Sequence, residues 1–149
     1  MTGQLNLFGS RRQRGRRSPP PKEFQTHCAI ADLLRRWAMP GWIWTHFPSG
    51  EARPSAIDKK GRRYSPAGQR LARMGLNSGF PDLFFFHQSG KCFFLELKRK
   101  GSGRLSEQQD EIATFLMAAG HGYLCTDSFD DAVATLKDVG ILRSDIQVQ

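Results

Sequence analysis

The sequence predicts an α/β domain in which a mixed central sheet is flanked by helices. Three observations lead there. Apolar residues switch between helical and strand spacing in the order α-β-(basic insert)-β-β-α-β-α. Two aromatic-rich runs, about 82–87 and 91–98, stand on either side of Gln88-Ser89-Gly90, as the arms of a hairpin do. Two later helical stretches each begin with a serine suited to cap them, Ser106 and Ser128.

Each element has its own justification. Residues 1–22 contain RRQRGRRSPPP, too polar to offset the entropy of ordering, and read as a disordered basic tail before a domain spanning 23–149. The first helix is expected from about Lys22 to Trp37, with Phe24, Cys28, Ala31 and Leu34 at helical spacing and Met39-Pro40-Gly41 as its stop. WIWTHF, residues 42–47, alternates as a strand, and Pro48-Ser49-Gly50 turns the chain. Residues 51–78 are polar, basic and rich in Gly and Pro. A short helix, SPAGQRLARMG, closes them, with Leu71 and Met74 expected on one face and Arg70 and Arg73 on another. After the hairpin, LSEQQDEIATFLMAAG is a helix with acids in its first turn and Gly120 beyond its end. HGYLCTD is the last strand and SFDDAVATLKDVG the last helix.

With 149 residues, 39% of them hydrophobic, the chain can build one ordinary core. No run approaches the roughly 18–20 apolar residues of a membrane span, and no apolar stretch follows the N-terminal charges as in a secretory signal. Cys28, Cys92 and Cys125 fit neither a disulfide framework nor a zinc spacing; they read as reduced, mostly buried thiols of a cytoplasmic protein. The formal charge of +8 is unevenly placed. Six basic residues and no acid lie in the first 22 positions, seven basic residues face Glu51 and Asp58 in 51–73, and eight acids outnumber two bases from Leu105 onward. A surface polarised in this way points to a polyanionic partner, nucleic acid first.

The hairpin carries charges that a core strand has little use for: Asp82 opens its first arm, and Glu96 and Lys98 end its second. Alternation places Phe94, Glu96 and Lys98 on one face and Phe93, Leu95 and Leu97 on the other. A three-residue turn ending in Gly90 makes paired positions sum to 178 and sets Asp82 opposite Glu96. A two-residue turn would separate the two carboxylates, and the glycine favours the longer one. Facing carboxylates repel unless a cation lies between them. Two hard oxygen donors beside solvent describe a site for Mg²⁺ or Mn²⁺, which would polarise a phosphate and acidify a water. Lys98 could orient or deprotonate that water, or offset charge on the phosphate.

Pro81-Asp82, thirteen residues, then Glu96-Leu97-Lys98 resembles the PD-(D/E)xK signature of restriction-endonuclease-like nucleases. GLNSGFPDLFFF, LELKRK, LSEQQ and the upstream HFPSGEAR narrow the resemblance to the VRR-NUC (virus-type replication-repair nuclease) family, over roughly Glu23 to Leu136. It implies a restriction-endonuclease-like core and a metal-dependent DNA endonuclease that is structure-specific for branched or junction DNA and dimeric. By resemblance, Asp82, Glu96 and the Leu97 carbonyl would bind metal, Lys98 would be catalytic, and Gln109 would support the attacking water or a phosphate. Gln108 competes with Gln109, since the two point about 100° apart on a helix. Glu23 matches an acid that such nucleases place on their first helix, although an acid there also suits the helix dipole.

Arg53, Arg62, Arg63, Arg70 and Arg73 are candidates for phosphate contacts, or else solvated charges of the insert. His46 reads as a rim residue near the turn, and Trp37, Trp42 and Trp44 read as packing residues before base-stacking ones. Finally, Gln4, Leu5, Leu7 and Phe8 in QLNLF resemble the bacterial sliding-clamp-binding peptide, which implies a bacterial or phage setting near the nucleoid. Two other functions remain open from the residues: a clamp-tethered DNA-binding module that does not cut, and a sequence-specific restriction-type nuclease.

Overall fold

The structure, a computed structural model, describes residues 22–48, 53–101 and 104–147. The basic tail, the QLNLF peptide and Glu51 lie outside the described residues. Helix α1 (Lys22–Trp37) leads into strand β1 (Trp42–His46). An insert follows, made of β2 (Ala56–Ile57), β3 (Arg63–Tyr64) and α2 (Pro66–Arg73). The chain then forms β4 (Leu83–His87), β5 (Cys92–Leu97), α3 (Glu107–Ala118), β6 (Gly122–Thr126) and α4 (Phe129–Asp138).

The main sheet has the order β1-β4-β5-β6. The first three strands are antiparallel, and α3 carries the chain across so that β6 runs parallel to β5, giving the mixed sheet expected. One face is the core: Leu83, Phe85, Phe93, Leu95 and Leu97 pack on Ile30 and Leu34 of α1 and on Ala132, Val133 and Leu136 of α4. Ile141 and Leu142 close the end of this layer, where Leu142 bridges to Ala38. The other face carries a ladder of rings, with Phe84 stacked on Phe94 at 5.0 Å and Phe47 beside Phe80 at 5.4 Å. Towards β6, α3 lies over this second face.

The register follows from the turn. The Gly90 N–H donates to the His87 carbonyl and the His87 N–H to the Lys91 carbonyl, both at 2.8 Å, with Gly90 in the left-handed region at φ 87°. Pairs therefore run from Phe86 with Cys92 to Leu83 with Leu95, and extending that register by one step sets Asp82 opposite Glu96, just beyond the ladder. Across the next strand boundary, β6 opens with Gly122 opposite Phe93, and a methyl group there would meet the Phe93 ring at 2.4 Å.

Local packing differs from expectation in several places. The buried stripe of α1 is Ile30, Ala31 and Leu34, whereas Phe24 is 58% exposed and Cys28 is exposed, because the helix enters the core only from Ile30 onward. Cys92 and Cys125 are half-buried rather than buried. Trp42 and Trp44 pack at the core's edge, but Trp37 is partly exposed under the Arg143 guanidinium, 5.6 Å from its ring. In α2, Met74 does not pair with Leu71 on a buried face. It is exposed and shares a groove with Arg70 and Arg73. Residues 56–64 form a small hairpin that the basic composition concealed. Asp58 organises its turn by accepting from the amides of Lys60 at 2.8 Å and Arg62 at 2.9 Å.

Candidate active site

Each member of the candidate site is held by an element with a local reason to be there. Asp82 follows the buried Pro81 and is pinned at both ends. Its carbonyl accepts from the Phe47 N–H at 2.9 Å, and its Oδ2 accepts from the Leu97 N–H at 2.8 Å. That second bond crosses from the start of β4 to the end of β5, so the carboxylate substitutes for a backbone partner where the ladder stops. Glu96, one residue earlier on β5, is only 3% exposed.

Lys98 lies just past the strand, with its N–H donating to the Thr126 carbonyl at 2.9 Å, and its ammonium turns back to Glu96 Oε1 at 2.7 Å. The same ammonium reaches Gln109 Oε1 at 2.7 Å, and Gln109 Nε2 donates to Glu96 Oε1 at 2.6 Å. Four side chains, Asp82, Glu96, Lys98 and Gln109, thus come together from three separate stretches of chain. Burial pushes the Glu96 carboxyl up to about 7, and the Asp82 charge adds to the rise while Lys98 opposes it.

Between the two glutamines, it is Gln109 that faces the carboxylates. Gln108 points to the loop before Asp82, where its Oε1 accepts from Ser78 Oγ at 3.0 Å. Gly79 lies so close beneath that a methyl on it would stand 3.0 Å from the Gln108 carbonyl carbon. Gln109 is also the N3 residue of α3: its Oε1 accepts from the Ser106 N–H at 3.0 Å and its N–H donates to Ser106 Oγ at 3.2 Å. This reciprocal cap fixes the amide that touches Glu96. The pattern Ser-x-x-Gln is its sequence signal.

Glu23 is half-buried in the first turn of α1, one turn before His27 on the same side of the helix. His27 packs edge-on to His46 at 4.7 Å, and His46 Nδ1 lies 3.1 Å from the Asp82 carbonyl oxygen. Glu23 is therefore on the stripe of α1 that leads to the site, outside the four-residue cluster itself. Arg62, Arg63, Arg70 and Arg73 are exposed on the insert. Arg53 is half-buried and donates to the Pro48 carbonyl, tying the insert to the turn after β1.

Two neighbours were not foreseen. Parallel register sets Tyr123 beside Phe94 and Cys125 beside Glu96, on the same face of the sheet. Burial, with the Glu96 charge next, raises the Tyr123 hydroxyl; burial likewise raises the Cys125 thiol, against a lowering by Lys98. Strand alternation in HGYLCTD groups these two side chains, but only the crossover through α3 brings them to Glu96.

As a cation site the pocket offers the carboxylates of Asp82 and Glu96, hard oxygens of the kind Mg²⁺ and Mn²⁺ take. Among the described residues no group of three or more His, Cys, Asp or Glu side chains is gathered as a metal cage. The donor set is thus two carboxylates that need water or a phosphate to complete it. It fits a divalent ion of this class: the two acids are near enough for one to raise the other, and the Lys98 ammonium already bonds to one of them.

No family model matches the chain, and no curated protein matches it in sequence. A solved structure described as a VRR_NUC domain protein is similar to it in fold, with a TM-score of 0.54 at 15% identity, covering 81% of this chain and 89% of the other. Among the described residues no helix is long and apolar enough to cross a membrane. In its mixed sheet and flanking helices this chain thus shares the fold of that VRR_NUC domain protein.

Proposed function

We propose that the chain is a Mg²⁺- or Mn²⁺-dependent DNA endonuclease that hydrolyses phosphodiester bonds, acting on branched or junction DNA in replication, repair or recombination. The observation that carries this reading is the convergence of Asp82, Glu96, Lys98 and Gln109 on one end of the hairpin. A divalent ion held there would withdraw charge from the scissile phosphate and acidify the attacking water.

The chain's own residues supply the rest. Asp82 and Glu96 offer oxygens for the ion, with the Leu97 carbonyl beside them and Glu23 approaching from α1. Lys98 is held within reach of Glu96, so once a cation takes over that carboxylate its ammonium is available to the water or to charge developing on the phosphate. Gln109, fixed by the cap of α3, limits where that ammonium can go. Arg53, Arg62, Arg63, Arg70 and Arg73 would position duplex backbone around the cut, with Arg53 acting mainly by anchoring the insert.

The deciding experiment compares wild type with Lys98→Ala on linear, flapped and four-way DNA, with Mg²⁺ or Mn²⁺. Cutting by wild type alone, with binding kept in the variant, supports the reading. Binding without cutting by either protein on every substrate rejects it for a DNA-binding module. Discrete fragments from long linear DNA would favour a restriction-type nuclease with a defined sequence.

The peptide Gln4-Leu5-Asn6-Leu7-Phe8 supports a further partner, a bacterial sliding clamp, with its two leucines and phenylalanine entering an apolar cleft and Gln4 fixing the register. Deleting residues 1–9 should abolish co-migration with the clamp and leave cleavage of short duplexes unchanged. Retained co-migration rejects the partner. A homodimer follows from the resemblance to stand-alone family members and is tested by light scattering.

A further inference from the structure

The insert forms a surface that the proposed catalytic residues do not use. Tyr64, Pro66, Gln69, Arg70, Arg73 and Met74 line an open groove of about 560 Å³. Pro66, Gln69 with Arg70, and Arg73 with Met74 recur one turn apart, so one side of α2 forms the wall, and Tyr64 at the end of β3 closes it. Helix α2 buries none of its residues. Its arginines, Arg70 and Arg73, are exposed and share the groove with the Met74 thioether and the Tyr64 ring.

Charge in this region is predominantly positive. Residues 53–73 hold seven basic side chains and a single acid, Asp58. Asp58 is already committed to its own turn and to Arg62 Nε at 3.1 Å, and it does not line the groove. Cations alone would suffice to hold duplex backbone. Here two of them, Arg70 and Arg73, line a groove with an aromatic ring and a methionine open to solvent, together with one side-chain amide. That combination belongs to sites where a base leaves the helix and stacks on protein.

We propose that this groove takes one unpaired nucleotide of a DNA strand, with its phosphate between Arg70 and Arg73 and its base against Tyr64 and Met74. Gln69 offers donor and acceptor to the base edge. The inference rests on the DNA reading above and gives it a reason to prefer substrates with an unpaired segment. A short path links groove to catalytic pocket. Arg53 lies under α2, where a methyl on Gly68 would stand 3.6 Å from its Nη1. It also donates to the Pro48 carbonyl, and the neighbouring Phe47 N–H donates to the Asp82 carbonyl. A strand held in the groove is therefore held in fixed relation to Asp82.

The test uses the full chain carrying Lys98→Ala, titrated by fluorescence anisotropy against oligothymidylate, an abasic strand of equal length and a blunt duplex. We expect oligothymidylate to bind roughly 5- to 150-fold more tightly than the abasic strand, the range of one stacked base. Adding Tyr64→Ala or Tyr64→Leu should erase that preference, and Tyr64→Phe should keep it. Replacing Arg70 and Arg73 together by Ala should weaken both single strands alike and reduce the salt slope by about 0.7, the share of one phosphate. Equal binding of the two single strands overturns the proposal, as does tighter binding of blunt duplex than of oligothymidylate. An unchanged preference in both the Ala and Leu variants overturns it too. Failure of the nuclease reading would appear instead as absent cleavage with Lys98 intact, a result these titrations do not depend on.

Discussion

Gln109 is joined to Ser106 in both directions, accepting from its amide at 3.0 Å and donating its own amide to the Ser106 hydroxyl at 3.2 Å. The same side chain donates to Glu96 at 2.6 Å. A helix cap and a candidate catalytic contact therefore share one amide group, so α3 cannot fray at its start without loosening the pocket. Ser106→Ala should cost about 1 kcal/mol in urea denaturation, the usual value of a lost N-cap. If the shared amide matters, cleavage should fall further than the small unfolded fraction explains, and Ser106→Thr should recover most of both. Full activity in Ser106→Ala at a temperature where the protein is folded would show that Gln109 holds its place without the cap.

Glu96 ties stability to pH. Its folded carboxyl titrates near 7 rather than at the ordinary 4.5, so the folded chain binds this proton more tightly than the unfolded chain. The resulting stabilisation is complete below about 4.5 and is lost as pH rises through about 7. Denaturation in EDTA should therefore show stability declining from about pH 5 to about pH 8, by up to ~3 kcal/mol. Glu96→Gln should flatten the decline. On the proposed metal binding by the ionised carboxylate, Mn²⁺ should stabilise the wild type more at the higher pH than at the lower. A slope unchanged by the substitution would place the titration elsewhere.

Asp82 is one of the groups that raise Glu96, and its carboxylate also accepts from Leu97 N–H. Asp82→Asn keeps an acceptor for that amide but removes the charge. The expected outcome is a folded protein in which Mn²⁺ uptake, read by titration calorimetry, is lost or weakened at least tenfold, and in which Glu96 titrates lower than in wild type. Undiminished uptake would exclude Asp82 as a ligand.

Gly122 tests the packing beneath the site. A methyl group at this position would lie 2.4 Å from Phe93 Cδ2, closer than real side chains approach. Gly122→Ala must displace the ring or the strand and should cost about 1–3 kcal/mol, as other overpacked cores do. Thermal melting measures it, and pairing with Phe93→Leu should recover part of the loss.

The parts of the site legible in the sequence are those set by local rules. The turn ending in Gly90 settles the register, and alternation along β5 then puts Glu96 and Lys98 on one face, so the charged hairpin could be read from 22 residues, 79–100. The caps at Ser106 and Ser128 are equally local. Rotation of a helix about its axis is not. Phe24 and Cys28 share the spacing of Ala31 and Leu34 yet stay outside, because α1 enters the core only from Ile30 onward. Parallel pairing is not local either: Tyr123 and Cys125 reach Glu96 through a crossover whose register no short-range pattern encodes. In the insert, the β2–β3 hairpin depends on Asp58 gathering two amides, a turn hidden among charges that look merely solvated.

The bond from the Leu97 amide to the Asp82 carboxylate makes that proton a built-in probe. Its nitrogen and hydrogen frequencies should move whenever the acid gains a proton, takes a cation or turns aside, while neighbouring amides of the ladder stay still. Occupancy of the pocket could then be followed by magnetic resonance in the intact molecule, from an atom bonded directly to the candidate ligand.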